Sequence, residues 1–145
     1  MSAVPDRIDT APLDHSVLSP QPFQEHLGWR ITRFENRCCE LELLIRPHHL
    51  NRNGIVHGGV LMSMLDSASG LAVAWEAGRD KPLPTVTVSL TCNFISAATS
   101  GRLIAMAKVD GGGGRIQSAS ATLTDQSGQL LATSLGSFRR FVTPP

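Results

Sequence analysis

Cysteine is scarce in this chain and poorly placed for bonding: there are three, Cys38, Cys39 and Cys92, an odd number of which two are adjacent. Neighbouring cysteines rarely bridge each other, and no CxxC or Cys/His spacing occurs, so neither a disulfide framework nor a metal site is expected. Reduced thiols in a cytoplasmic protein are the expectation. No basic-then-apolar run opens the sequence, so no secretory leader is expected. The longest apolar-rich stretch is interrupted by Gly, Ser and Asp66, and no membrane span is expected there. Charge is sparse as well, at 17% of residues with a net charge of +1. That argues against nucleic acid or an anionic membrane as the main partner, because either needs a concentrated basic face. Lysine is nearly missing: Lys81 and Lys108 are the only two among 13 basic residues, and the arginines are scattered. No GxSxG elbow occurs, which removes a serine hydrolase of that design.

What is present fits one domain. A chain of 145 residues with 41% hydrophobic content can build one real core and is too short for two. Residues 1–22 hold four prolines and no sustained periodicity, and read as a loose arm; residues 23–145 carry the domain. PFQEHLGW predicts a short helical turn ended by Gly28. WRITRF and CELELLI predict two strands joined at Glu35–Arg37. RPHHLNRNG is turn chemistry, in which His48 and His49 are expected to be solvated. From His57 to about Ala77, the residues Leu61, Met64, Leu65, Ala68, Leu71, Ala72 and Trp75 recur at i, i+3, i+4 spacing and predict one long helix. In TVTVSLTCNFI the period drops to two, with Val86, Val88, Leu90, Cys92 and Phe94 on the expected buried face. RLIAMAKV, RIQSASATLT and QLLATSLGSFRRF predict three more strands, and the DGGGG and DQSGQ turns between them suggest an antiparallel meander. The order implies an α+β fold in which a single sheet wraps one central helix.

The second side of that helix is unusual. Gly59, Met62, Ser63, Asp66, Ser69, Gly70 and Val73 stand where Lys and Glu would coat a solvent face, so the helix is expected to be buried nearly all round. Asp66 is the one carboxylate between Asn53 and Trp75. An ionised carboxylate in such surroundings is costly without partners, and it lies too far into the helix for the macrodipole to help much. At the helix start, His57 is followed by Gly58 and Gly59, whose backbone N–H groups have no side chain shielding them. Such a site attracts anions and developing oxyanions. Gly58 and Asp66 are eight residues apart. On one helix that is about 12 Å, too far for both to meet one reacting carbonyl. If they cooperate, one of them comes from another chain. Two helices packed antiparallel about a two-fold axis would set Gly58 of one subunit opposite Asp66 of the other, in two symmetric copies.

Asn51, then HGG at 57–59, then Asp66, within the run GIVHGGVLMSMLDSASG, resembles the signature of the hotdog-fold acyl-CoA thioesterases. The likeness is to their phenylacetate-pathway (PaaI-type) branch and runs from about Phe23 to Phe141. The resemblance implies a hotdog fold, one long helix wrapped by a curved antiparallel sheet, and hydrolysis of an acyl- or aryl-acyl-CoA to the free acid and CoA. It implies no cofactor beyond the CoA of the substrate. It also implies a homodimer or homotetramer whose subunits pair edge to edge. Carried over residue by residue, Asp66 matches the general base or nucleophile, and Gly58 matches the oxyanion N–H donor from the partner subunit. His57 and Asn51 match residues that orient the thioester. Thr87 matches a Ser/Thr position that helps place the attacking water, although its strand parity sets it opposite Val86 and Val88. Gly59 and Met62 are expected to touch substrate, with Met64, Phe94 and Trp75 also near an apolar acyl pocket. Arg115 is expected to meet the CoA phosphates, with Arg102, Arg139 and Arg140 as further candidates. Two other readings share the fold: a hydroxyacyl-thioester dehydratase, and a non-catalytic acyl-CoA binding or sensing module.

Overall fold

The computed structural model describes residue 18, residues 21–79 and residues 81–142. The expected proline-rich arm over 1–22 falls almost wholly outside the described residues. A short helix α1 (Pro22–Leu27) leads into β1 (Arg30–Glu35) and β2 (Cys38–Leu44), then a single 3-10 turn (Pro47–His49) and the long helix α2 (Gly58–Ala74). The strands β3 (Thr85–Phe94), β4 (Arg102–Gly111), β5 (Ile116–Asp125) and β6 (Leu130–Arg140) complete the chain. Proline at the first helical position starts α1, and Gly28, at φ 89°, ends it by donating its N–H to Gln24. The β1–β2 hairpin turns on Asn36 and Arg37, both at positive φ, a backbone twist that suits the right-handed twist of the flanking strands.

All six strands form one antiparallel sheet, in the order β1-β2-β4-β5-β6-β3. The sheet curls around α2, and this is the hotdog arrangement. Met64, Leu65, Ala68 and Ala72 of the helix are buried against Leu41, Leu43, Leu103, Leu123 and Leu131 of the sheet. Alanines at 105, 107, 119, 121 and 132 line the inner face and are likewise buried, so the helix can settle close to the strands. Truncating one of the fully buried leucines here should cost about 2–5 kcal/mol through lost burial and a residual cavity.

Three sequence expectations change. The four later strands are not a simple meander, because β3 crosses to the far edge and pairs with β6 instead of β4. The segment 95–101 has no tight turn and is held instead by Val56 and Ile45, whose N–H groups donate to the carbonyls of Ala98 and Gly101. The helix ends at Ala74, not near Ala77: Trp75 turns extended, and Leu83 donates its N–H to the Ala74 carbonyl, drawing the following loop back over the helix end. Nor is α2 buried all round. Gly59, Met62, Ser63, Asp66, Ser67 and Gly70 form a stripe that the sheet leaves partly open, with Met62 44% exposed. The fully buried set instead includes Ser69 and Val73.

Candidate active site

The side of β3 that meets the helix is decided by a bulge. Thr87 pairs with Phe138 and Ser89 pairs with Ser137, so Val88 is an extra residue on β3. Before the bulge Thr85 and Thr87 point toward α2; after it Leu90 and Cys92 take over that side. Strict alternation from the sequence therefore fails across Val88. Val86 and Val88, expected inside, are 46% and 59% exposed, and Phe94 is also exposed. The gain is local: the Thr87 hydroxyl donates a 2.7 Å hydrogen bond to Asp66 Oδ1. Parity had set Thr87 away from the helix, and the extra residue brings it there.

Asp66 and Thr87 line one cavity of about 490 Å³. Its walls combine Trp29, Ile31, Leu71 and Phe138 with Gln21 and Gln24 of the α1 region. None of Met62, Met64, Phe94 or Trp75 lines it: Met64 is wholly buried in the core, and Met62 sits on the open stripe. Cys92 lies close by on β3, its thiol pushed up by burial and secondarily by the charge of Asp66. A thiol kept protonated is a poor nucleophile.

The helix start forms a second cluster. His57 caps α2, its Nδ1 accepting the Gly59 N–H at 2.8 Å. A Cβ at Gly59 would lie 3.0 Å from that nitrogen, so glycine is what lets the imidazole sit over the helix end. Gly59's N–H is thereby spent, whereas the Gly58 N–H has no acceptor among the described residues. The Phe94 ring lies beside Gly58, 3.4 Å from where a Cβ would stand. Just upstream, Asn51 Oδ1 accepts the N–H groups of Asn53 and Ile55, which closes the loop and leaves the carboxamide N–H₂ for other work. Within one chain the site residues thus fall into two groups, Asp66 with Thr87 and Asn51 with His57 and Gly58, at opposite ends of the helix's first half.

The arginines separate. Arg102 and Arg30 both pair with Glu42, Arg140 pairs with Glu76 at 2.9 Å, and the Arg139 guanidinium lies 4.9 Å from the Phe141 ring centre. Arg115, exposed, is drawn to the sheet end by its carbonyl, which accepts the Arg140 N–H. Arg140 is paired with Thr85, a wall of the cavity. One further correction concerns His49. Expected to be solvated, it is fully buried, because both ring nitrogens find backbone partners. The three cysteines are unbridged, as expected, with Cys39 buried.

Residues 53–132, more than half of the chain, match the thioesterase superfamily. The chain belongs to the thioesterase superfamily. An esterase candidate of Mycobacterium tuberculosis, Rv1847, is 32% identical over 123 residues, covering 84% of this chain and 85% of the relative. The conserved protein PA5202 of Pseudomonas aeruginosa superposes with a TM-score of 0.79 at 27% identity, over 90% of this chain and all of its own. The PaaI protein of the E. coli phenylacetic acid degradation operon superposes at 0.78 and 22% identity, over 88% and 89% of the two chains, a likeness of fold. Membership supports hydrolase activity of the thioesterase kind and agrees with the PaaI-like hotdog architecture seen here. Among the described residues, no helix is long and apolar enough to cross a membrane.

Proposed function

We propose that this thioesterase hydrolyses an acyl- or aryl-acyl-CoA to the free acid and CoA, at a site shared between two subunits. The observation that carries the reading is the Thr87–Asp66 hydrogen bond inside a cavity sized for a compact acyl group. Asp66 takes a proton from water as that water attacks the thioester carbonyl, or attacks the carbonyl itself to give an anhydride that water then opens. The carbonyl oxygen becomes an oxyanion, stabilised by the partner subunit's Gly58 N–H at a helix start, where the macrodipole also favours negative charge. The C–S bond breaks; on the general-base route the CoA thiolate takes the proton that Asp66 had accepted, and on the anhydride route it takes the proton released when water opens the anhydride. Thr87 holds the carboxylate and the water in line, while Asn51 and His57 orient the thioester. Gly59 and Met62 lie on the helix stripe that faces the substrate, and Arg115 serves the CoA phosphates. Sulfur donates poorly to the carbonyl and leaves well, so a base and an oxyanion donor suffice without a cofactor or metal.

Two features support sharing across a dimer. The open stripe of α2 runs from Gly59 to Gly70 and is lined by small residues that allow a second helix close approach. Strand β3 has a partner on one side alone, and the edge it presents is the kind of ladder another strand completes. The deciding experiment is thiol release from a panel of acyl-CoAs by the wild type and by Asp66→Asn. Turnover by the wild type with a loss of about two or more orders of magnitude in the variant is the expected result. Acyl-CoA binding without hydrolysis by either protein would replace the enzyme with a binding module, and loss of water from a hydroxyacyl-CoA would mark a dehydratase.

A further inference from the structure

His49 lies outside every group described above, yet among the described residues no side chain is better buried. Its Nδ1 accepts the Arg46 N–H at 2.9 Å. A backbone N–H can only donate, so Nδ1 must carry a lone pair, and the proton of the neutral ring sits on Nε2. That N–H donates to the Leu27 carbonyl at 2.8 Å. Leu27 is the last residue of α1, whose Gln24 is a wall of the Asp66 cavity. The backbone of the same residue reaches the other way: the His49 carbonyl accepts the N–H of His57 at 2.8 Å. His57 is the cap of α2, whose next residue offers the unpaired Gly58 N–H. One residue therefore touches the end of the helix that roofs the acyl cavity and the start of the helix that presents the oxyanion donor.

We infer that His49 is a positioning residue that locks α1 to the N-terminus of α2 through a single Nε2–H tautomer, so that the acyl cavity and the oxyanion donor keep a fixed relation. The inference rests on the thioesterase reading for its kinetic consequences, though not for its structural ones. The Arg46 contact demands a neutral ring, whereas the Leu27 bond needs only the Nε2 proton. A second proton on Nδ1 would face the Arg46 N–H donor to donor and break that contact. Among the described residues, no carboxylate is bonded to the ring. The His48 ring lies against it at a tilt of 59°, ring centres 4.1 Å apart, and Arg46 is the cationic neighbour from its own segment. The α1 side presents a carbonyl flanked by His26, with Glu25 on the exposed side of that helix, and the α2 side presents His57.

Asparagine and glutamine separate the two bonds, since an Asn side chain sets an acceptor where Nδ1 stands and a Gln side chain sets a donor where Nε2 stands. His49→Asn keeps the Arg46 contact and releases α1, so KM should rise about tenfold with kcat near the wild-type value. His49→Gln keeps the α1 tie and loosens the turn that carries His57, so kcat should fall about tenfold with KM little changed. Ring ¹⁵N spectra of the wild-type protein give a readout that needs no activity: one protonated Nε2 and one bare Nδ1, unchanged as pH is lowered through the value of a free imidazole, about 6.5. The Gly59 amide resonance should move in His49→Gln and stay in His49→Asn. Matching kinetic losses in both variants would reduce His49 to a general stabiliser and overturn the inference. So would an Nδ1-protonated ring, or one that titrates at the ordinary imidazole value. If the wild type hydrolyses no thioester, the proposed function fails while the tautomer and Gly59 measurements still decide the role of His49.

Discussion

Thr87→Val isolates the contact on which the active-site reading depends. Valine matches threonine in shape, is at home in a strand, and lacks the hydroxyl alone. The lost hydrogen bond is 2.7 Å long and ends on a carboxylate. Bonds to charged groups contribute about 1.5–3 kcal/mol, and each 1.36 kcal/mol is about tenfold in rate, so kcat should fall by roughly 10- to 150-fold. Thr87 is exposed in the single chain, which sets the loss near the lower figure unless a partner and substrate exclude water from the pair. Continuous thiol release under saturating acyl-CoA reads kcat directly. Thr87→Ser should retain most of the activity, and chemical denaturation should find Thr87→Val folded and less stable by no more than about 1 kcal/mol, because water can take the exposed hydroxyl's place. Added to Asp66→Asn, the valine should cost less than about twofold more, since the two residues act as one unit. A valine variant within twofold of wild type, or independent losses in the double variant, would refute the pairing as catalytic.

Mixing Asp66→Asn with Asn51→Ala tests the shared site: in a mixed dimer one site carries both lesions and the other carries none, so up to about a quarter of wild-type activity should return. A site confined to one chain would recover nothing. Gly136→Ala should destabilise the fold by about 2 kcal/mol or more in urea titration, because its Cβ would stand 2.8 Å from Phe138, 2.9 Å from Leu90 and 2.9 Å from the Ser89 carbonyl. Burial first, then the charges of His48 and Arg46, hold the His49 imidazole below its ordinary value against the pull of the Leu27 bond. A depressed folded value means that stability is whole above the unfolded value of about 6.5 and is lost as pH falls through the folded one. The Tm should therefore drop on acidification from neutral pH, and that drop should vanish in His49→Asn. Asp125, held low by the Ser127 hydroxyl and then by the Gln129, Ser127 and Gly128 amides, follows the same sign in the acid range. Amide exchange in the β5–β6 turn should speed up as pH falls below the ordinary carboxylate range and that aspartate protonates.

Local pattern was enough for the elements themselves. Apolar residues at helical spacing marked α2, two-residue alternation marked the strands, and Gly28 and the Glu35–Arg37 segment marked turns, because each depends on neighbours within a few positions. Asp66 and the Gly58–Gly59 start stood out for a related reason: a lone carboxylate and two glycines at a helix entry contrast with an apolar run. The separation of Gly58 from Asp66 was also in the sequence, since helical rise alone sets it. Partner choice between strands was not. That β3 leaves β4 and joins β6 depends on how the whole sheet closes around the helix. The bulge at Val88 is another such decision, and it reverses the side on which Thr87 falls while exposing Val86 and Val88. His49 was misread for the same reason: its partners are the Arg46 amide and a carbonyl 22 residues upstream, and a histidine in a turn segment carries no sign of either. Sequence settled what was periodic and local; long-range strand pairing and backbone hydrogen bonds, which no short window contains, decided which side chains meet.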